Sequence, residues 1–358
     1  MVTIKEIARL AKVSIATVSN VLNGKQGAAG EAKAKEIIDI ARDLHYLPNT
    51  LARNLQQQKT NTIGIITEDL TVFNTPEIVD GIDSCCEENG YEIVLENMRL
   101  YKRYGNDFTD TPKHYELLDS LLRNLLAKQV EGVVYVGYHC REIAYLPARV
   151  QVPFVYAYCY PKEAIYPSVM YDDETAAREV TNLLIKNGHR RIGIIGGPDS
   201  SYHTQARLRG VKAALTENGI ELRHELVVYG DWERSSGYNL TDILLKKHVS
   251  AIFSFNDLMA SGVYERASEQ KMKIGEDIAL FGFDNRDPDL GYMPALSTVE
   301  PPLNKIGRRS AEIVLGQIKH RRTGRKRIYL PCKILERGSL DIAKTIAKQP
   351  KGKLKPRP

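Results

Sequence analysis

Over the first 46 residues, apolar positions recur every three or four residues in three short bursts. "TIKEIARLA" sets Ile4, Ile7, Ala8 and Ala11 on one stripe, Ser14 stands where it can cap a second helix ending near Leu22, and "EAKAKEIIDIARDLHY" repeats the pattern at Ile37, Ile40, Ala41 and Leu44. The spacing predicts three helices around a miniature core, too small to be strongly stable alone. Pro48 stops the third helix, Asn49 offers a cap, and a short polar-flanked stretch around Leu51 and Leu55 follows. From Asn61 the texture changes. "NTIGIITEDL", "YEIVLEN", "VEGVVYVG", "VPFVYAY", "RIGIIGG", "LVVYGD", "SAIFSFND" and "DIALFGFDN" are apolar runs of strand length, most of them continuous, as parallel strands covered on both faces require. Amphipathic helical patterns lie between them, in "PEIVDGIDSCCEENG", "HYELLDSLLRNLLAKQ", "ETAAREVTNLLIKNG" and "SGYNLTDILLKK". The "ENG" before Tyr91 and the "KNG" before His189 each use glycine to close a helix ahead of a strand. The chain therefore predicts two successive βαβ halves with a break near "VMYDDETAA", two open parallel sheets that face each other across a cleft.

Length and charge sharpen this division. At 358 residues the chain exceeds one ordinary core, which points to two or three domains. Its net charge of +6 is unevenly spread: residues 1–60 carry nine Lys/Arg against five Asp/Glu, and residues 319–358 carry fourteen against two, which leaves the middle near −10. A basic head on an acidic body points to a polyanionic partner for the head, or to a merely solvated basic end. The tail "AKQPKGKLKPRP" has the composition of a disordered segment. Five cysteines, Cys85, Cys86, Cys140, Cys159 and Cys332, make an odd number without a C-x-x-C pair, so neither a disulfide framework nor a zinc site is indicated. "MVTIKEIARLAK" alternates charged with apolar residues unlike an export signal, and no run reaches membrane-spanning length. A cytoplasmic protein with no membrane association is the expectation.

The stretch "KVSIATVSNVLNG", residues 12–24, interleaves Val13, Ile15, Val18, Val21 and Leu22 with Ser14, Thr17, Ser19, Asn20 and Asn23. One reading is an ordinary capped helix of a small bundle. The other is insertion into a major groove, because the outer face is uncharged and small, and hydroxyls and amides meet base edges and phosphates there. An enzyme is the competing class for the body. "GIIGGPDSS" follows a strand, but Pro198 comes after its second glycine and no third glycine arrives at dinucleotide spacing. P-loop, G-x-S-x-G and metal-spaced His or carboxylate patterns are absent, so no catalytic residue, metal site or cofactor is expected.

"TIKEIARLAKVSIATVSNVLN", "LHYLPNTLARNL" and "IGII", in that order and spacing, resemble the lactose/galactose-repressor (LacI/GalR) family of bacterial transcription regulators. The likeness continues through "NTPEIVDGI", "NGHRRIGIIGGP", "ARLRG", "GDWERSSGY", "FSFNDLMASG", "LFGFDN" and "ILERGS", covering nearly all of residues 2–339. It implies an all-α helix-turn-helix head (1–47), a hinge helix and linker (48–60), and a two-lobed α/β domain of periplasmic-binding-protein type with parallel sheets (61–345). The lobes would comprise about 61–171 with 301–331, and about 172–300 with 332–345, ahead of the basic tail 346–358. By the same resemblance Ile15, Ala16 and Asn20 choose the operator, with Ser14, Thr17, Ser19 and Asn23 beside them on phosphates or neighbouring bases. Ile15 and Ala16 offer only apolar contact, for instance to thymine methyls, whereas Asn20 can read a base edge. Leu55 matches a minor-groove wedge supported by Asn49, Ala52 and Arg53. One departure is "GKQGAAGEAKAKEII", a residue longer than usual and lacking the usual hydroxyl cap.

In the cleft, Arg207 matches an arginine that grips the effector's hydroxyls or carboxylate, Trp232 an aromatic that stacks on it, and Asn256 and Asp284 polar residues at strand ends. Phe73, Asn74 and Thr75 match the lining loop of the first lobe, and Tyr158 stands where many relatives carry an acid. His203, isolated in the sequence, reads as outside the pocket. The resemblance implies a homodimer on a near-palindromic double-stranded operator, controlled by a small effector, by default a carbohydrate that relieves repression. The alternative is a solute-binding module or a corepressor-activated regulator whose effector is not a sugar, or is a protein.

Overall fold

The computed structural model describes residues 2–25, 27–46, 59–105, 112–144, 150–162, 165–286, 291–319 and 326–340. Asn49, Ala52, Arg53, Leu55 and the basic tail lie outside the described residues. The chain falls into two compact units, Met1–Thr60 and Asn61–Pro358.

The first unit holds α1 (Ile4–Leu10), α2 (Ile15–Leu22) and α3 (Glu31–Asp43). Their apolar stripes meet in a core of Ile7, Ala8, Ala11, Val18, Val21, Ile37 and Ala41. Each fully buried Ile or Val stabilises by about 1.5–3 kcal/mol, and five of the seven are smaller than Leu by at least a methyl group, so local turn chemistry matters here. Lys12 adopts a left-handed φ of 53° and lets Val13 N–H bond Ala8 C=O at 3.0 Å, which closes α1 and turns the chain sharply into α2. Gly24 (φ 68°) closes α2 in the same way, with Lys25 N–H on Asn20 C=O at 2.9 Å. The lengthened loop then enters α3 with Gly30 at the cap and no side-chain cap bond.

In the second unit β1 (Thr62–Thr67), β2 (Glu92–Asn97), β3 (Gly132–Val136), β5 (Phe154–Ala157), β7 (Ser168–Tyr171) and β13 (Arg327–Leu330) form one parallel sheet in the order β2-β1-β3-β5-β7-β13. The interior strands β1, β3, β5 and β7 are buried almost throughout, as their continuous apolar runs require. The second sheet, also parallel, has the order β9-β8-β10-β11, from β8 (Ile192–Gly196), β9 (Val227–Tyr229), β10 (Ala251–Ser254) and β11 (Ala279–Phe281). Two short pairs complete the described strands: β4 (Glu142–Ile143) with β6 (Tyr160–Pro161), and β12 (Thr298–Glu300) with β14 (Lys333–Leu335). The helices are α4 (Thr75–Glu88), α5 (Leu100–Tyr104), α6 (Pro112–Ala127), α7 (Asp173–Lys186), α8 (Tyr202–Glu217), α9 (Arg234–Leu245), α10 (Asp257–Glu269) and α11 (Leu303–Ile318).

Helix α11 returns to the first lobe and crosses α4 with backbones nearly touching. A Cβ on Gly81 would sit 2.0 Å from Asn304 C=O, and one on Gly307 would sit 1.9 Å from Ile78 C=O. Two helix closures predicted from "ENG" and "KNG" occur at Gly90 (φ 74°) and Gly188 (φ 92°). No helix among the described residues is long and apolar enough to cross a membrane.

Candidate functional sites

Helix α2 carries no charged residue, and its two sides differ sharply. Val18 and Val21 are buried in the head core, while Ser14, Ile15, Ala16 and Asn23 are exposed and Thr17, Ser19 and Asn20 half-buried. Several of its polar groups are already engaged. Thr17 N–H donates to Ser14 Oγ at 3.0 Å, the two hydroxyls lie 2.9 Å apart, and Asn23 Nδ2 donates to Ser19 C=O at 2.7 Å. These bonds hold the first and last turns, so Ser14 and Asn23 shape the helix whatever else they touch. Ala16, Asn20 and Asn23 share one stripe with Ile15 beside it, an uncharged face of small and amide side chains.

The second site lies where the strands of the larger unit end. Tyr158, Trp232, Asn256 and Asp284 stand within three residues of the carboxyl ends of β5, β9, β10 and β11, the end at which open α/β sheets collect ligands. Three of them hold left-handed backbones, Tyr158 at φ 60°, Trp232 at 74° and Asp284 at 107°. Such a conformation costs a non-glycine residue on the order of 1–3 kcal/mol, and it persists only where surroundings over-determine it. The surroundings are visible: Tyr158 N–H bonds Val169 C=O and Asp284 N–H bonds Val299 C=O, both at 2.8 Å, and Asn256 Nδ2 bonds Trp232 C=O at 2.9 Å. The indole of Trp232 lies against Gly197, where a Cβ would fall 2.1 Å from the ring.

Arg207, on α8, is the centre of this site and is fully buried. Its Nε donates to Asp173 Oδ1 at 2.7 Å, Nη1 to Phe255 C=O, and Nη2 to the Tyr171 hydroxyl at 3.1 Å. The guanidinium lies 3.4 Å from the centre of the Phe283 ring and 5.9 Å from that of Trp232, and Asp284 Oδ1 stands 3.9 Å from Nη2. Asp173 opens α7 just after Asp172, whose own carboxylate caps the helix by accepting from Thr175 N–H at 3.0 Å. His203 Nδ1 lies 3.0 Å from both Asp173 oxygens, and its Nε2 is 2.9 Å from the Tyr158 hydroxyl. A chain of contacts therefore runs Tyr158, His203, Asp173, Arg207, Tyr171 and joins the two lobes.

The charges in this chain are strongly perturbed. Burial pushes the Asp173 carboxyl up, but the charges and hydrogen bonds of His203 and Arg207 outweigh it and hold the group below the usual carboxylate range. Asp284 is pushed up to about 7, mainly by burial, with Arg207 opposing and Asp173 adding to the rise. Behind it Asp257 is pushed up to about 8 by burial and by the charge of Asp284, although Thr298 donates to it at 2.6 Å. His139, on the first lobe, is held down to about 3 by burial and by the charges of His203 and Arg141.

The first lobe supplies the opposite wall. Phe73 is partly exposed and the Arg286 guanidinium of the second lobe lies 5.0 Å over its ring. Asn74 Nδ2 donates to Tyr138 C=O at 3.1 Å, while its Oδ1 and the Thr75 hydroxyl are buried without a hydrogen-bond partner among the described residues. Deeper, Glu68 is fully buried and accepts from Tyr135 Oη, Tyr138 N–H and Arg141 Nη2 at 2.5, 2.6 and 2.8 Å.

The structure thus brings Tyr158, Arg207, Trp232 and Asp284 together and adds His203 and, missed by sequence reasoning, Asp173, Tyr171 and Phe283. Both ends of the Asn256 carboxamide are occupied, Oδ1 by Met259 N–H at 2.8 Å and Nδ2 by Trp232 C=O, so it positions helix α10 and the indole loop. His203, read from the sequence as outside the pocket, sits inside this cluster because its place on α8, four residues before Arg207, puts both on one face. Among the described residues no group of three or more His, Cys, Asp or Glu is arranged to hold a metal ion.

Comparison with known proteins matches residues 3–49 to the bacterial regulatory proteins of the lacI family and residues 181–340 to a periplasmic binding protein-like domain. The HTH-type transcriptional repressor PurR of Vibrio vulnificus (strain CMCP6) is 30% identical over 326 residues, covering 89% of this chain and 92% of the relative. Catabolite control protein A of Priestia megaterium is 32% identical over 314 residues, covering 86% and 89%. Among solved structures, the lac repressor bound to ONPG in its repressed state superposes with a TM-score of 0.76 at 26% identity, over 94% of this chain and 99% of the other. The cellobiose complex of the regulator CelR gives a TM-score of 0.63 at 26% identity, over 95% and 100%. With its uncharged α2 face and its two-lobed receptor body, the chain belongs to the lacI family of bacterial regulatory proteins and is a DNA-binding transcriptional repressor, not an enzyme.

Proposed function

We propose that this repressor binds a near-palindromic operator as a homodimer through α2, and that a small, hydroxyl-bearing effector in the interlobe cleft sets its operator affinity. The observation that carries the effector reading is the convergence on one cleft of Arg207, from helix α8, with Trp232, Tyr158 and Asp284, which are held in strained backbone at strand ends. An indole stacks on the C–H face of a sugar, and a carboxylate beside it takes hydroxyl hydrogens. The cellobiose complex of a structural neighbour supports a carbohydrate as the ligand class. Ile15, Ala16 and Asn20 are the base-reading residues, with the Asn20 carboxamide making no side-chain hydrogen bond among the described residues. Leu55, with Asn49, Ala52 and Arg53, is proposed as the wedge that opens the operator's central step.

Selection of a preferred duplex from random DNA, followed by titration at several salt concentrations, tests the head. Asn20→Ala should cost about 1–3 kcal/mol and relax preference at one base position while leaving the salt slope unchanged. Trp232 is the only tryptophan, so its emission on addition of sugars tests the cleft in the same molecule. Absence of any preferred duplex refutes the DNA reading, and an emission unmoved by every candidate refutes the effector reading.

A further inference from the structure

We propose that Asp173 fixes the charge class of the effector: it serves as the built-in anion of Arg207, so the cleft takes neutral, hydroxyl-rich molecules and rejects phosphates and carboxylates. The inference rests on the cleft being the effector site.

A guanidinium recognises an oxyanion through two parallel N–H bonds along one edge. Each of the three Arg207 nitrogens already donates to a protein acceptor, and the edge through Nε is taken by a carboxylate. Asp173 occupies Nε at 2.7 Å, Phe255 C=O occupies Nη1, Tyr171 Oη lies 3.1 Å from Nη2, and the Phe283 ring covers one face. Asp173 is held firmly as an anion, fully buried at the first turn of α7, where the helix dipole favours negative charge, and bonded to His203 as well. The other guanidinium groups around the cleft are also matched. Arg141 pairs with Glu68 at 2.8 Å, and Arg286 lies over Phe73 within electrostatic reach of Asp284. Arg207 and Arg141 thus each have a buried carboxylate of their own, Asp173 and Glu68, before any ligand enters. A phosphate or carboxylate entering beside Arg207 brings an uncompensated charge into a desolvated space already holding the Asp173 anion. In the opposite wall Asn74 Oδ1 and Thr75 Oγ1, buried and without a hydrogen-bond partner among the described residues, accept hydrogen bonds, and hydroxyl groups donate them.

The test follows Trp232 emission of the full chain in 0.15 M salt with matched pairs: glucose and glucose 6-phosphate, galactose and galacturonate, adenosine and AMP. Within any pair that binds, the neutral member should bind at least about 100-fold more tightly. In Asp173→Asn, which frees the Arg207 charge, the ratio should fall to about tenfold or less, whereas Asp173→Glu should keep the discrimination. An anionic member that binds wild type as tightly as its neutral partner overturns the proposal and leaves the cleft as the effector site. An unchanged ratio in Asp173→Asn also overturns it. If that variant does not fold, the wild-type ratios alone decide. Silence of all six compounds removes the effector reading, and this inference with it.

Discussion

Removing the Arg207 charge while keeping most of its bulk, by Arg207→Met, isolates the electrostatics of the cleft. Arg207 and Asp173 are fully buried 2.7 Å apart, and the carboxylate's other close partner is His203. Breaking one side of a buried ion pair leaves a desolvated charge and typically costs about 3–5 kcal/mol. Loss of the cation over the Phe283 ring adds about 1–2 kcal/mol, partly offset by the methionine thioether against the same ring. The single variant should therefore lose about 4 kcal/mol, a large part of the roughly 5–15 kcal/mol that holds a domain together. Asp173→Asn with Arg207→Met removes both charges, and the asparagine still bonds His203, so the double variant should recover about 3 kcal/mol of the loss. Urea unfolding at pH 7, followed by the emission of Trp232, reports on the lobe that contains the pair. A single-variant cost under about 1 kcal/mol, or strictly additive costs in the double variant, would refute the claim that this pair is a coupled buried unit. An effector titration of Arg207→Met is interpretable only at urea concentrations where this lobe remains folded.

Three further outcomes follow from the same geometry. Asp284 and Asp257 keep their protons in the folded chain to about pH 7 and 8, whereas the unfolded chain releases them near pH 4, so stability falls as pH rises through that window by about 1.4 kcal/mol per unit for each group. Melting temperature should accordingly be lower at pH 8 than at pH 5.5, with a shallower slope in Asp257→Asn; equal slopes would exclude Asp257 as the source. Ser14→Ala deletes the acceptor of Thr17 N–H and should cost the head about 1 kcal/mol, read as earlier loss of helical circular dichroism and weaker operator binding, and an unchanged melt would show the cap to be idle. Gly197→Ala places a methyl group 2.1 Å from the indole, so Trp232 emission should shift and effector affinity fall by at least about tenfold with operator selection retained, and an unmoved spectrum would contradict the stacking.

What the pattern made legible were the features written into single elements. The three head helices, the continuous apolar runs of β1, β3, β5, β8 and β10, and the glycine closures at Gly90 and Gly188 are each decided by a few neighbouring residues. Strand β13 was not legible, because Arg327–Leu330 lies on a sheet edge in a basic segment and alternates exposed with half-buried positions. The cleft was legible by halves. Residues that follow strands stood out, but the same pattern marks a helix cap, and Asn256 proves to be engaged as one. "YDD" reads as a cap followed by an ordinary first-turn acid, and only the tertiary fold reveals that Asp172 caps while Asp173 turns inward to residues 30 and 34 positions further on. Pairing across such separations leaves no local periodicity to read.

Asp173 also lies where the chain passes between the lobes. The chain crosses between the lobes at Tyr171–Asp173, after β12 and after β13, and these three strands lie side by side. Asp172 N–H bonds Leu330 C=O at 3.0 Å, and β12 pairs with β14 from Thr298–Leu335 to Glu300–Lys333. Backbone bonds of this kind resist separation but permit bending, which is the property of a hinge. Tyr158 to His203 and Arg286 over Phe73 join the two lobes away from these crossings. Each contributes about 0.5–1.5 kcal/mol, so together they bias closure by only a few kcal/mol. That is the size of a typical coupling energy between two sites, about 1–3 kcal/mol. A ligand that replaces these contacts needs no more differential affinity than a few hydrogen bonds supply.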